Sequence, residues 1–292
     1  MKLPELDPVY FGPRTWARRI KDWAKQARLK GQVTPFLEEN LRVIRQMLTQ
    51  SDTGPRMVVN IGADALLSFL ESNDYKNIYE MPVVGGQRRE PTKERVEVDR
   101  LLELDRQPLR CYFGAVALDG AGVRFYGEYC MVVGPGRVAG RNTRTFDRDS
   151  YDLLLAPLVG WSINRTRRLV AALRGNWDTD LVDMLIMKML PRLPAAQHLI
   201  TVGNISALVM SDQEFVEVHL LDKIRLVDLE EIRQTPNDAV VEATILARKR
   251  TGHSPSLVEM RWIEQRQQVM SRLAQRSIAL RTVLVQARSQ WA

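Results

Sequence analysis

Residues 212–226 read DQEFVEVHLLDKIRL, and the periodicity of this stretch decides the fold class. Val216, Val218 and Leu220 alternate with Phe215, Glu217 and His219, the period of two that a strand imposes on its two faces. A strand here buries the aliphatic set. It displays a carboxylate and an imidazole side by side on the opposite face.

Working toward the N-terminus, GPGRVAGRNTRTFDRDS (134–150) is a glycine- and arginine-rich connection with short strand potential. VRFYGEYCMVV (123–133) reads as a strand with Arg124, Tyr126 and Glu128 on one face, entered from about 109–118 through a DGAG turn. GGQRREPTKER (85–95) reads as a basic loop. MVVNIG (57–62) is a strand that leads into the helix DALLSFLESN, with Asp64 near its start. Two helices precede it, one with Trp16, Ile20, Trp23 and Ala27 on a face, the other with Leu37, Leu41, Ile44 and Leu48.

Between 152 and 190 the pattern is helical, interrupted by GNWD and ended by Pro191 and Pro194. HLITVGN and SALVMSD read as short strands, and LVDLEEIRQ as the start of a short helix. From Pro255 a long amphipathic helix places Ile263, Met270, Leu273, Leu280 and Leu284 on one stripe, with Ser277 a polar interruption. Helices at both ends around a β-rich middle predict an α+β fold, mostly antiparallel, with N-terminal helices and a long C-terminal amphipathic helix. The expected division is 1–55, 56–240 and 241–292.

The 292 residues are 45% hydrophobic and 26% charged, ordinary for a folded chain. No run approaches the roughly 18 apolar residues of a membrane span. The start, MKLPELDPVYFGPRTW, lacks an apolar secretory region, so a reducing cytosol is the expected compartment. Export by a route without a signal peptide would leave no mark here. Cys111 and Cys130 sit in apolar runs and read as buried free thiols.

Charge is uneven. From Ala243 to Ala292 nine basic residues face two glutamates, a surplus of seven that equals the +7 of the whole chain. A second basic cluster, Arg14, Arg18, Arg19, Lys21, Lys25, Arg28 and Lys30, meets only Asp22. Such ends suit an anionic partner, nucleic acid or an acidic protein surface, and equally a solvated helix face.

Three histidines, His198, His219 and His253, fall at no metal-ligand spacing. There is no phosphate loop and no nucleophile elbow, and GPGRVAG lacks the dinucleotide fingerprint. What remains is the Glu217–His219 strand, the 123–133 strand, and Arg141, Arg144, Asp147, Arg148, Asp149 and Ser150. That last cluster suits a phosphate and ribose grip, since arginine offers a fork of donors, or a surface loop of mutually paired charges.

In order along the chain, VVNIGADALLSFLESNDYKNIYE, CYFGAVAL with GVRFYGEYCMVV, RNTRTFDRDSY and FVEVHLLDKIRLVDLEEI resemble bacterial ADP-ribosyltransferase-like toxin and effector domains over about 57–233. The resemblance implies a split, mostly antiparallel β core and NAD as substrate. It makes Glu217 the catalytic carboxylate, with His219 beside it to hold it or touch the acceptor. Asp149 and Ser150 would line the nicotinamide side, and Arg141 or Arg144 would bind pyrophosphate. Where many relatives carry Arg or His on the first strand this chain has Asn60, with Arg56 four residues earlier, and His219 stands where Gln or Glu is frequent.

Those departures keep a second expectation alive. This is a catalytically degenerate member that engages a protein or nucleic acid through its basic terminal helices, or self-associates through 255–292. A toxin reading also implies a cognate inhibitor or immunity protein as partner.

Overall fold

Strand β1 (Arg56–Ile61) lies inside a sheet whose neighbours come from across the whole chain. The computed structural model describes residues 15–29, 35–52, 54–80, 91–104, 110–155, 162–190, 202–210 and 215–287. β1 pairs antiparallel with β2 (Tyr112–Ala117) on one side and β4 (Tyr129–Val133) on the other. Beyond β2 come β7 (Glu217–Leu220), β5 (Arg144–Phe146) and β6 (Arg174–Asn176), all antiparallel. Beyond β4 come β8 (Leu229–Gln234) and, parallel to it, β9 (Ala279–Thr282), which completes eight strands in the order β6-β5-β7-β2-β1-β4-β8-β9. β3 (Gly120–Val123) pairs in parallel with β10 (Val285–Ala287) in a separate ribbon. The fold is α+β with a mostly antiparallel sheet.

Alternation along the strands sends alternate side chains to two different cores. Met57, Val59, Ile61, Val216, Val218 and Leu220 enter the larger one. There they meet α1 (Trp16–Leu29), α2 (Pro35–Thr49), α3 (Ala63–Ser72) and α8 (Leu181–Met189), whose Met184, Met187 and Met189 are buried. On the other face Val58, Ala115, Cys130 and Val132 pack against the β3–β10 ribbon. Phe146 and Cys111 pack there with α4 (Lys93–Leu101), α6 (Ser150–Leu155) and α7 (Ile163–Leu173). The alternation read in 215–220 holds, and it turns Glu217 and His219 toward this second face. Both cysteines are buried free thiols, and burial pushes the Cys130 thiol up to about 12.

Several expectations are corrected. Residues 202–209, the end of HLITVGN and the start of SALVMSD, form one helix, α9 (Val202–Val209), not two strands, while 198–201 and 211–212 lie outside the described residues. LEEIRQ is strand β8, preceded only by a 3-10 turn at Leu226–Asp228. Arg124–Tyr126 is a 3-10 turn and the strand starts at Tyr129; between them Gly127 (φ 158°) has no room for a Cβ, which would lie 2.0 Å from the Ile61 carbonyl carbon. The 85–95 loop ends in helix: Thr92 caps α4 by accepting the Arg95 N–H, and 81–90 lie outside the described residues.

The long helix expected from Pro255 is, among the described residues, one helix and two strands. α10 (Pro236–Arg250) is followed by α11 (Leu257–Gln275), where a capping box at Ser256 and Glu259 sets the start. Ser277 (φ 55°) ends the run, so Leu280 is a strand residue. Elements on both sides of positions 55 and 240 share the larger core: Trp16 and Leu48 from the N-terminal side, Val269 and Leu273 from α11.

Candidate functional site

A cavity of about 600 Å³ opens on the second face of the sheet, between β1, β2 and β7 and the helices α4 and α6. Glu217, Asn60 and Asp149, far apart in sequence, all line it. Aromatic walls come from Tyr75, Phe113, Tyr126 and Phe215, and Arg95 is the cation on the wall.

Glu217 is only 6% exposed. Its neighbours are fixed by register, since β7 places it opposite Ala115 of β2 and Phe146 of β5, with His219 opposite Phe113 and Arg144. One carboxylate oxygen accepts the Ser150 N–H at 2.6 Å. The other lies 3.2 Å from His219 Nε2. The imidazole is wedged between Phe146, in a stacked arrangement, and Phe113, edge on. Burial is the largest single influence on the Glu217 carboxyl and pushes its pKa up. His219, Arg95 and the Ser150 N–H together outweigh it and hold the group below its ordinary 4.5. The carboxylate is therefore charged in the fold.

Arg95, in the first turn of α4, donates to Asp99 at 2.5 Å across one turn and stacks on Phe113, 3.8 Å from the ring centre. Asp99 is itself buried and accepts from Tyr79. Desolvation works against the Arg95 charge, but Asp99 and Glu217 more than compensate. A chain of polar contacts, Tyr79 to Asp99 to Arg95, thus ends on the cavity wall.

The other expected residues divide. Asp149 lines the cavity and also caps α6, accepting the N–H groups of Tyr151 at 2.9 Å and Asp152 at 3.2 Å. Ser150 is fully buried and contributes its backbone N–H. Asn60 lines the cavity, but its amide serves the backbone. Nδ2 donates to the carbonyls of Ala121 and Gly127, while Oδ1 accepts the Val123 N–H at 2.7 Å.

None of the three expected arginines lines the cavity. Arg56, at the far end of β1, is held by Glu230 and the Gly54 carbonyl. Arg141 is bound bidentate to the buried Asp228 at 2.9 and 3.0 Å. Arg144 sits on β5 opposite His219. Glu128 accepts the Ala63 N–H and so caps the start of α3.

Sequence reading missed Arg95, Asp99 and Tyr79. The available signal was the i, i+4 pair Arg95–Asp99 directly after the helix-start threonine Thr92, which was absorbed into a basic loop. Among the described residues no group of three or more His, Cys, Asp or Glu side chains is arranged to hold a metal ion, and no helix is long and apolar enough to cross a membrane. Comparisons with protein-family models, curated proteins and solved structures found no match to this chain.

Proposed function

We propose that the chain is an NAD-cleaving enzyme of ADP-ribosyltransferase type, with Glu217 as its catalytic carboxylate. The observation that carries this reading is one buried, charged carboxylate on the wall of a 600 Å³ cavity lined by aromatic rings. All four segments behind the sequence resemblance meet there, through Asn60, Phe113, Asp149 and Glu217. The cavity falls in the range of about 300–1,000 Å³ typical of small-molecule sites.

In this reading the nicotinamide ring lies among Tyr75, Phe113 and Tyr126. The bond from ribose C1′ to the ring nitrogen breaks, and its electron pair neutralises the pyridinium. The positive charge left on C1′ and the ring oxygen faces Glu217, which stays anionic and acts electrostatically rather than as a proton donor. A nucleophile then bonds to C1′ and releases its proton. With water the products are nicotinamide, ADP-ribose and a proton; with a protein or nucleic-acid group the product is ADP-ribosylated. Since Arg56 and Arg141 are engaged elsewhere and Arg144 does not line the cavity, Arg95 takes the part of the cation nearest the substrate. Modification of a host component by such an enzyme suits use as a toxin or effector.

Incubating NAD with the full chain and separating the products tests the reading. Free nicotinamide is expected. NAD that is neither bound nor consumed by the folded protein would remove the basis for it.

A further inference from the structure

The helical hairpin α10–α11 carries a surface that the cavity does not use. Val240, Val241, Leu257, Val258 and Met260 are all exposed there, Leu257 by 84% and Val258 by 78%. Between the helices lies a groove of about 310 Å³ lined by Val240, Val241, Ile245, Val258 and Trp262. Isolated exposed aliphatic side chains are common, but a contiguous set around a groove marks an interaction site.

The groove is built into the hairpin. Arg266 is buried, stacks on Trp262 with 4.9 Å to the ring centre, and bonds Glu242 of α10 at 3.1 Å. Arg248 closes the other end by pairing with Glu259. These pairs hold the two helices at a fixed separation without filling the space between them.

Charge selects the occupant. The hairpin's Glu242 and Glu259 are consumed in those pairs, and Asp238 by Arg124. Lys249, Arg250 and Arg261 are exposed and their side chains take part in no ion pair or hydrogen bond among the described residues, with Glu264 the corresponding acid. The unpaired charge of the hairpin is therefore net positive. A second copy of this chain would bring two such positive surfaces together. Nucleic acid would leave the aliphatic side chains unused, and a flat lipid surface does not fill a groove.

We propose that the α10–α11 hairpin docks an amphipathic helix of a partner protein. Its apolar stripe enters the groove and its acidic flanks meet Lys249, Arg250 and Arg261. The proposal is independent of NAD chemistry, because the groove lies outside the cavity and shares no lining residue with it.

Two fluorescent helical peptides with the same leucine stripe, one flanked by glutamates and one by lysines, test this against the full chain. The glutamate peptide should bind at least tenfold more tightly, with an affinity that falls as salt rises. Val258→Asp, at an exposed position, should abolish its binding with circular dichroism unchanged. Lys249→Glu combined with Arg261→Glu should reverse the preference between the peptides. Equal binding of both peptides, or of neither, overturns the proposal. So does a concentration-dependent dimer that Val258→Asp dissolves, or Val258-dependent binding to phosphatidylserine vesicles in place of the peptides.

Discussion

At Glu217 burial and charge act in opposite directions, and charge wins. The sign of the pH dependence follows. A carboxyl held below its unfolded value of about 4.3 contributes stability that is fully present above that value. The contribution is lost as pH falls through the lower, folded value. Stability of wild type should therefore exceed that of Glu217→Gln by a constant margin at neutral pH, a margin that shrinks only below about pH 4.3 in paired denaturant titrations. Arg95 should be part of the cause. Replacing it with Met should move the Glu217 titration upward in carbon-13 NMR of labelled glutamate, while Arg95→Lys preserves most of the depression. Asp99 is 2% exposed and holds Arg95, so Asp99→Ala leaves a buried cation without its partner and should cost about 3–5 kcal/mol in equilibrium unfolding. An unmoved Glu217 titration in Arg95→Met would show that His219 and Ser150 suffice.

Among the elements, legibility followed periodicity. The strand at 215–220 was plain because aliphatic residues alternate with Phe215, Glu217 and His219, that at 57–62 because it is a short β-branched run closed by Gly62, and α1, α2 and α3 because their apolar residues recur every third or fourth position. The run at 202–210 is apolar without a period, and such runs do not separate helix from strand. LEEIRQ carries helix-favouring residues, yet pairing with β4 and β9 overrides local preference. The end of α11 was hidden because Ser277 is not the glycine that usually marks a left-handed helix stop. Two substitutions probe these elements. Leu273, 2% exposed where α11 meets the core, should cost about 2–5 kcal/mol as Leu273→Ala. Gly122 has φ 69°, and a Cβ there would lie 1.9 Å from Asn60 Oδ1. Gly122→Ala should therefore loosen the 121–127 backbone, visible as faster amide exchange at Val123.

At the scale of the whole molecule, the C-terminal surplus of positive charge is built into the fold as well as displayed. Arg266 and Arg281 form internal pairs, while Arg248, Lys249 and Arg250 end a surface helix. β9 closes the β8 side of the sheet, so a chain ending at residue 276 should expose β8, lower the melting temperature and aggregate on heating. The site was legible only where one residue carries its own pattern. Glu217 stood out by alternation, and Asp149 by its place in a dense polar cluster. Arg95 and Asp99 matter because a distant helix brings Arg95 onto Phe113 of β2 and within reach of the Glu217 charge, a relation that no local spacing records. The cavity exists because separate segments converge, which makes its central carboxylate the point on which the functional account stands or fails.

The direct measurement is release of nicotinamide from NAD labelled in that ring, comparing wild type with Glu217→Gln at equal concentration and equal circular dichroism. The account predicts release by wild type and a loss of at least about 100-fold in the variant, the scale for removing a preorganised charge facing the transition state. Equal release by both proteins, or none by wild type, would contradict it.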